Sequence, residues 1–347
     1  MHQQNIVNDS KTAKLSPPDA LLMMVVGDWF TLAIHMAARL NIAELVKDGP
    51  RSLSELSKAT DIPPRSLLRL LRALTSANIF EQVEPGVFAQ SELSYYLLED
   101  VPHSVKGMAL VHGAEWQLRS WAGFMHSLQN EEPGFDHVFN MSLWQYFRDH
   151  NPPAGRLFDQ AMKSLSNQVN PYIASAYDFS RFETLIDIGG GEGSTIRTIL
   201  HKYPQLKGTL FDQAGTIAQA RERFVQEGLE ERCNLVVGNF LEAVPEGVDA
   251  YLLKHILEGW KDELAIAILR NCRRAMKPQS KILIVEYIVT EEEVLFERLL
   301  DLQLMITTTS GCRTEEECRK LFDAAGFAMT AVVKTGTASH IFEGTPV

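Results

Sequence analysis

Residues 184–193 read TLIDIGGGEG, an aliphatic run of strand length that breaks into glycines at 189, 190, 191 and 193. A helical stretch, Ser194 to Lys202, follows directly. Short apolar runs bounded by breakers suit buried strands, and glycines let the backbone turn sharply and come close to a ligand. Strand, glycine loop and helix in that order restrict this part of the chain to an open α/β sheet with a ligand site at the first strand's end.

The rest of the C-terminal half repeats the alternation. Gly208–Asp212, Cys233–Val237, Asp249–Leu253 and Lys281–Tyr287 read as further strands, and Phe327–Thr330 with Val332-Val333 as a sixth. Helical stretches fall between them at Thr216–Gln226, Glu263–Met276 and Thr314–Ala325. Such alternation predicts an α/β class: a Rossmann-like, mainly parallel sheet with helices on both faces, over residues 181–347.

The first third has another texture. After a polar leader, residues 1–19, apolar residues recur at helical spacing from Leu21 to Leu45. Ser52 and Pro63-Pro64 mark two further helix starts, the second running through SLLRLLRALTSA. Two short strands, Ile79–Val83 and Val87–Ala89, flank the turn Glu84-Pro85-Gly86. Helices followed by a hairpin outline a winged helix, expected over 20–105. That outline suits DNA, but the net charge is −11 and only Arg65, Arg69 and Arg72 supply nearby positive charge. Phosphate binding needs clustered cations, so dimerisation is the expected role and nucleic acid is not an expected partner. Residues 106–180 read as an aromatic-rich helical segment, mostly core, with some rings free to line a flat apolar pocket. No run suits a membrane span or secretory signal. The cysteines Cys233, Cys272, Cys312 and Cys318 lack metal-finger spacing, which predicts no metal and a cytoplasmic location.

The loop pattern is D-x-G-G-G-x-G rather than G-x-G-x-x-G, it carries Asp187 ahead of the glycines, and no P-loop Lys-Ser/Thr follows. These details point to S-adenosylmethionine (SAM). Asp212 ends the second strand about twenty residues on, where a carboxylate accepts the hydrogen bonds of two ribose hydroxyls. Asn239 and Phe240 end the third, placed to meet adenine by amide and ring face.

With these motifs in view, the chain resembles the SAM-dependent small-molecule O-methyltransferases of the plant caffeate and bacterial polyketide-tailoring type. The resemblance runs from about residue 20 to 345 through IDIGGGEG, LFD, VVGNF, LLKHILEGWKDE, ILIVEYI and TSGCRTEEE…LFDAAGF. It implies a homodimer with interlocked N-terminal domains and a small-molecule substrate. It further implies that Gly189 and Gly191 face the methionine part of SAM, Asp212 the ribose, and Asn239 with Phe240 the adenine. Asn239 stands where the family usually has Asp. Lys254 falls near the methionine end with Trp260 beyond it. Ser166 completes the cofactor side, and Phe158, Met162, Met305 and Cys312 are the substrate-side candidates.

At the catalytic positions the pattern breaks. The family's base is the His of an H-D-W motif; here Leu257-Glu258-Gly259-Trp260 puts Glu258 in its place. Of the two acids expected around that base, Glu286 matches one, and Cys312 replaces the other. His255 lies three residues before Glu258, at a strand end, as a second catalytic candidate. Burial beside Glu286 would raise the proton affinity of Glu258 and make it a better base; the alternative is a solvated side chain at a strand–helix junction. The expected function is methylation of an aromatic or conjugated secondary metabolite on oxygen or nitrogen. The alternative is a SAM-binding enzyme turned to cyclisation, hydroxylation or decarboxylation.

Overall fold

The structure is a computed structural model describing residues 15–290 and 294–347. Residues 1–14, most of the expected leader, lie outside the described residues. Within the stretch expected to be leader, Ser16 caps a helix running Pro17–Val25. The chain forms two units that meet in sequence between Ala114 and Glu115, so residues 106–114 belong with the N-terminal unit.

In the first unit, helices Gly27–Arg39, Ile42–Val46, Leu53–Thr60 and Pro64–Ser76 precede the hairpin of β2 (Phe80–Glu84) and β3 (Val87–Gln90). Ser52 and Glu55 form a reciprocal capping box: the Ser52 N–H donates to Glu55 Oε2 at 2.8 Å and the Glu55 N–H to Ser52 Oγ at 3.3 Å. Leu67, Leu71 and Leu74 recur at helical spacing and pack with Ile42, Leu56 and Phe88, while Arg65, Arg69 and Arg72 stay exposed. Sequence reading missed β1 (Arg51–Ser52). It pairs antiparallel with β3 and makes this small sheet three-stranded, in the order β1-β3-β2.

The second unit opens with short helices, then the long helix Pro152–Ala176. Its sheet comprises β4 (Thr184–Ile188), β5 (Lys207–Asp212), β6 (Cys233–Val237), β7 (Ala250–Lys254), β8 (Lys281–Tyr287), β9 (Phe327–Lys334) and β10 (Ser339–Pro346). The order is β6-β5-β4-β7-β8-β10-β9, with β6 through β8 parallel and β10 antiparallel to both neighbours. Two elements escaped sequence reading: β10 and the helix Leu295–Thr307. Side chains alternate across the sheet as the pleat requires. Ile186, Tyr251, Leu253 and Ile284 pack on one face with Ile268 and Phe322. Leu185, Leu252, Leu283 and Val285 pack on the other with Ile196 and Phe224. Strand order reverses between β4 and β7, and in open α/β sheets ligands bind outside the strands' carboxyl ends at such a point. Among the described residues no single helix is long and apolar enough to cross a membrane.

Candidate active site

The glycine loop leaves β4 at this reversal. Gly189, Gly191 and Gly193 have φ of 68°, 62° and 77°, a region that side-chain-bearing residues rarely adopt. A Cβ at Gly189 would sit 2.6 Å from Ile256 Cδ1, and one at Gly193 2.7 Å from the Phe224 ring, so the core holds both ends of the loop. A Cβ at Gly191 would meet nothing within 4 Å. The middle of the loop therefore turns its open side to whatever occupies the crevice. Gly191 is fixed from behind, where its N–H donates to Asp212 Oδ2 at 2.9 Å.

Asp187 is 1% exposed, and neither carboxylate oxygen has a well-formed hydrogen bond, the Ile196 N–H giving only weak support. Burial pushes its pKa up to about 7, and the positive charge of Lys254 offsets part of the rise. Lys254, at the end of β7, donates from Nζ to Ser166 Oγ at 3.0 Å, tying the sheet to the Pro152–Ala176 helix. Burial lowers the pKa of Lys254 against the opposing pull of Asp187, Glu258 and Glu286. A buried acid short of donors, a lysine beside it and an open glycine backbone suit the amino acid end of SAM.

Asp212 ends β5, with Oδ1 accepting the Gln213 N–H at 2.6 Å. Burial raises its pKa and the two backbone donors lower it. Phe240 meets Trp260 edge-on, ring centroids 6.1 Å apart. Asn239 is exposed and both ends of its amide serve the local turn: Oδ1 accepts the Leu241 N–H and Nδ2 donates to Glu242 Oε1, each at 3.0 Å.

The catalytic candidates converge just beyond β7. His255 takes the left-handed conformation, φ 54°, and the chain then winds into the turn Leu257–Gly259. His255, Glu258 and Glu286 each offer an atom within 4.8 Å of the other two. The Glu258 side chain is only 12% exposed, which corrects the alternative of a solvated junction residue. Glu286, on β8, accepts at Oε1 from the N–H groups of Ile256 at 3.1 Å and Leu257 at 2.8 Å, and its Oε2 is buried without a well-formed hydrogen bond, Glu258 giving the pair only weak support. Burial and the neighbouring Glu258 push Glu286 well above the ordinary carboxylate range; burial raises Glu258 too. Two such acids in one dry site share a proton rather than ionise together. Burial, with the charge of Lys254, lowers His255 to about 3, so its ring is neutral.

The substrate-side candidates are more dispersed. Phe158 joins the helical segment's aromatic cluster, 5.3 Å from Phe147 and 5.9 Å from Trp144. Met162 and Met305 are half-buried on the helices Pro152–Ala176 and Leu295–Thr307. Cys312 is half-buried, its N–H donating to Asp301 Oδ1 at 2.8 Å, and burial together with Glu258 keeps its thiol protonated. Sequence reading missed Tyr287, stacked on His255 at 4.2 Å, and Ser339, whose Oγ lies 3.3 Å from His255 Nε2. It also missed Arg313, whose guanidinium donates to the carbonyls of Leu257 and Trp260. Only the position of Tyr287 beside Glu286 could have signalled any of these.

Comparison with known proteins agrees with this fold. An O-methyltransferase domain model matches residues 121–328, and an O-methyltransferase dimerisation domain model matches 24–100. The chain is 39% identical to phenazine O-methyltransferase PhzM of Lysobacter antibioticus over 328 residues, covering 94% of this chain and 96% of that one. The crystal structure of LaPhzM superposes with a TM-score of 0.91 at 38% identity, covering 96% and 100%. CalO1, a methyltransferase in calicheamicin biosynthesis solved with SAH bound, gives 0.82 at 30% identity, covering 96% and 100%. At lower identity, 28% over 339 residues (95% of this chain, 90% of the other), the chain also resembles aclacinomycin 10-hydroxylase RdmB of Streptomyces purpurascens. A family model spanning more than half the chain, with close relatives along nearly its whole length, shows that it belongs to the O-methyltransferase family and is a SAM-dependent methyltransferase.

Proposed function

We propose that the chain methylates a hydroxyl or ring nitrogen of a fused or conjugated aromatic metabolite, with Glu258 as the base where the acceptor is a hydroxyl. The observation that carries this reading is the His255–Glu258–Glu286 cluster: one buried and two largely buried titratable groups held together beside Lys254 where the strand order of the parallel sheet reverses. SAM, when bound, supplies a methyl carbon activated by its positive sulfur, which leaves alignment and the acceptor's proton to the protein. Asp212 would take the ribose hydroxyls, Gly189 and Gly191 would pass close to the methionine part with Asp187 and Lys254 behind it, and Phe240 with Trp260 would cover the adenine. Asn239 supports that end through its turn. Phe158, Met162, Met305 and Cys312 line the acceptor side.

With one proton shared between Glu258 and Glu286, the pair carries one negative charge, and Glu258 would accept the hydroxyl proton when the acceptor oxygen takes the methyl group, the sulfur–methyl bond breaking to leave SAH. His255, neutral, donates from Nδ1 to Glu258 and holds it in place. A buried carboxylate is a stronger base than an exposed one but still well below an ordinary phenolate, so acidic acceptors, such as phenols conjugated to a fused ring, match it best. The phenazine activity of the 39% identical relative supports that class.

The N-terminal unit serves homodimerisation, the helical segment 115–180 lines the acceptor side, residues 181–347 bind SAM, and the protein works in the cytoplasm. A second reading, chemistry without methyl transfer, is favoured by Glu258 standing where the family has His and by the hydroxylase relative. Incubation with methyl-labelled SAM and a panel of hydroxylated phenazines and other fused-ring phenols tests both. Label in a product with release of SAH is expected; consumption of an acceptor with SAM intact would establish the second reading.

A further inference from the structure

The turn that carries Glu258 is held from two directions. Its N–H groups at Ile256 and Leu257 are taken by Glu286, and its carbonyls are taken from the opposite side by Arg313. Arg313 is 8% exposed; Nη1 donates to Leu257 O at 2.9 Å and Nη2 to Trp260 O at 2.7 Å. Nε and Nη2 also donate to Asp262 Oδ1, at 3.1 and 2.9 Å. A planar guanidinium can serve two carbonyls and a carboxylate together, which a lysine ammonium cannot do with fixed geometry. Thr309 Oγ1 adds a bond to Gly259 O at 3.2 Å. The backbone of Arg313 is itself anchored: it bridges Ile288 in parallel, and its carbonyl accepts the Val289 N–H at 3.0 Å, just past the end of the strand that carries Glu286. One residue thus links the segment bearing Glu286 to the turn bearing Glu258.

We propose that Arg313 is a positioning residue for methyl transfer, its guanidinium fixing the Leu257–Gly259 turn so that Glu258 stays against Glu286 and aimed at the acceptor. This rests on the reading of Glu258 as base. Arg313 touches no reacting atom. It acts through the turn's carbonyls, and its charge also favours ionised Glu258. The other groups facing Glu258 are Lys254, His255, Glu286, Tyr287 and Cys312.

The test compares Arg313→Lys, Arg313→Ala and Asp262→Asn in the full-length protein. Misplacing a catalytic group by about 1 Å costs about 100-fold. Arg313→Ala is therefore expected to lose about 100-fold in kcat, with the Kd for SAM and the acceptor KM within two-fold of wild type, and Arg313→Lys to fall between. The rising limb of the kcat–pH profile is expected to move to higher pH when the Arg313 charge is removed. It moves to lower pH in Asp262→Asn, which keeps that charge and removes its partner. Asp262 is 67% exposed, so this variant folds even if the Arg313 variants do not. Added guanidinium ion should restore part of the activity of Arg313→Ala. Unchanged kcat in folded Arg313→Lys and Arg313→Ala overturns the proposal, as does an unmoved pH limb in Asp262→Asn. Glu258→Gln is the control: if it keeps full turnover, the base assignment fails; if only the Arg313 and Asp262 variants behave as wild type, the positioning role alone fails.

Discussion

His255 Nδ1 lies 3.3 Å from Glu258 Oε2, while the other nitrogen of the same ring, Nε2, faces Ser339 Oγ. A neutral imidazole has one donor and one acceptor, so with Glu258 ionised Nδ1 carries the proton and Nε2 is left to accept from the serine. The ring therefore cannot take the acceptor's proton while Glu258 and Ser339 hold it. Activity should rise with pH through the raised value of the Glu258–Glu286 pair, above the ordinary Glu value of 4.5, because the base must lose its proton first. No inflection from a histidine titrating near the usual 6.5 is expected, since His255 is lowered to about 3. Glu258→Gln should lower kcat by about 10²–10⁴ and abolish the limb, the range for losing a general base. A kcat–pH series on wild type and variant checks this; an intact limb in Glu258→Gln would show that another group titrates.

Asp187 predicts a pH effect on stability rather than on rate. Its pKa is raised from 3.8 unfolded to about 7 folded, so the folded state holds a proton that the unfolded chain has released between those values. The sign follows: the stabilisation is whole below 3.8 and is lost as pH rises toward 7, at up to about 1.4 kcal/mol per pH unit. Ligand-free wild type should lose stability to denaturant between pH 5.5 and 7 relative to Asp187→Asn, whose amide does not titrate. Parallel curves for the two proteins would mean that Asp187 is ionised in the fold throughout.

Cofactor affinity should depend on Asp212 and Gly191 for different reasons. Asp212 holds the Gly191 N–H and would also take the ribose hydroxyls; charge-assisted bonds contribute about 1.5–3 kcal/mol each. Asp212→Ala should therefore weaken SAM at least 10-fold by calorimetry. Gly191→Ala puts a methyl into the open side of the loop at φ 62°. It should cost about 1–2 kcal/mol of stability from the backbone alone and weaken SAM by a larger factor than that strain explains. If Gly191→Ala binds SAM as wild type does, the open side of the loop is not where the cofactor lies.

These two sites differ in how far a reader of the bare sequence could see them. Gly189, Gly191 and Gly193 are legible because left-handed backbone selects glycine, and Leu67, Leu71 and Leu74 because a helix buries one stripe. The strand Ser339–Pro346 is not, because its buried polar residues do not look like core. Glu343 tolerates burial through Tyr177 Oη at 2.6 Å and Lys281 Nζ at 3.0 Å, partners that only the fold supplies. The clamp of Arg313 escapes for a related reason: its targets are the backbone carbonyls of Leu257 and Trp260, which carry no residue signature. Glu258 and Glu286 were placed together through a family pattern, and that pattern gave no sign that His255 would stand against them.

The N-terminal unit makes the last prediction. Leu21, Met24 and Trp29 are 63%, 74% and 67% exposed along the helices Pro17–Val25 and Gly27–Arg39, with Leu22, Val25 and Phe30 exposed among them. Large apolar side chains grouped this closely exceed what a monomer's surface usually carries, and they fall within or beside the matched dimerisation domain. Sedimentation equilibrium should give twice the chain mass. Met24→Asp with Trp29→Asp should shift it to the chain mass, because burying an unpaired carboxylate in place of an aromatic or Met anchor costs about 2 kcal/mol or more at each site. The substituted chain should keep its helical circular dichroism, since neither side chain is buried in the unit's own core. A wild-type chain that sediments as a monomer at all concentrations, or a double variant that remains dimeric, would place the subunit contact elsewhere.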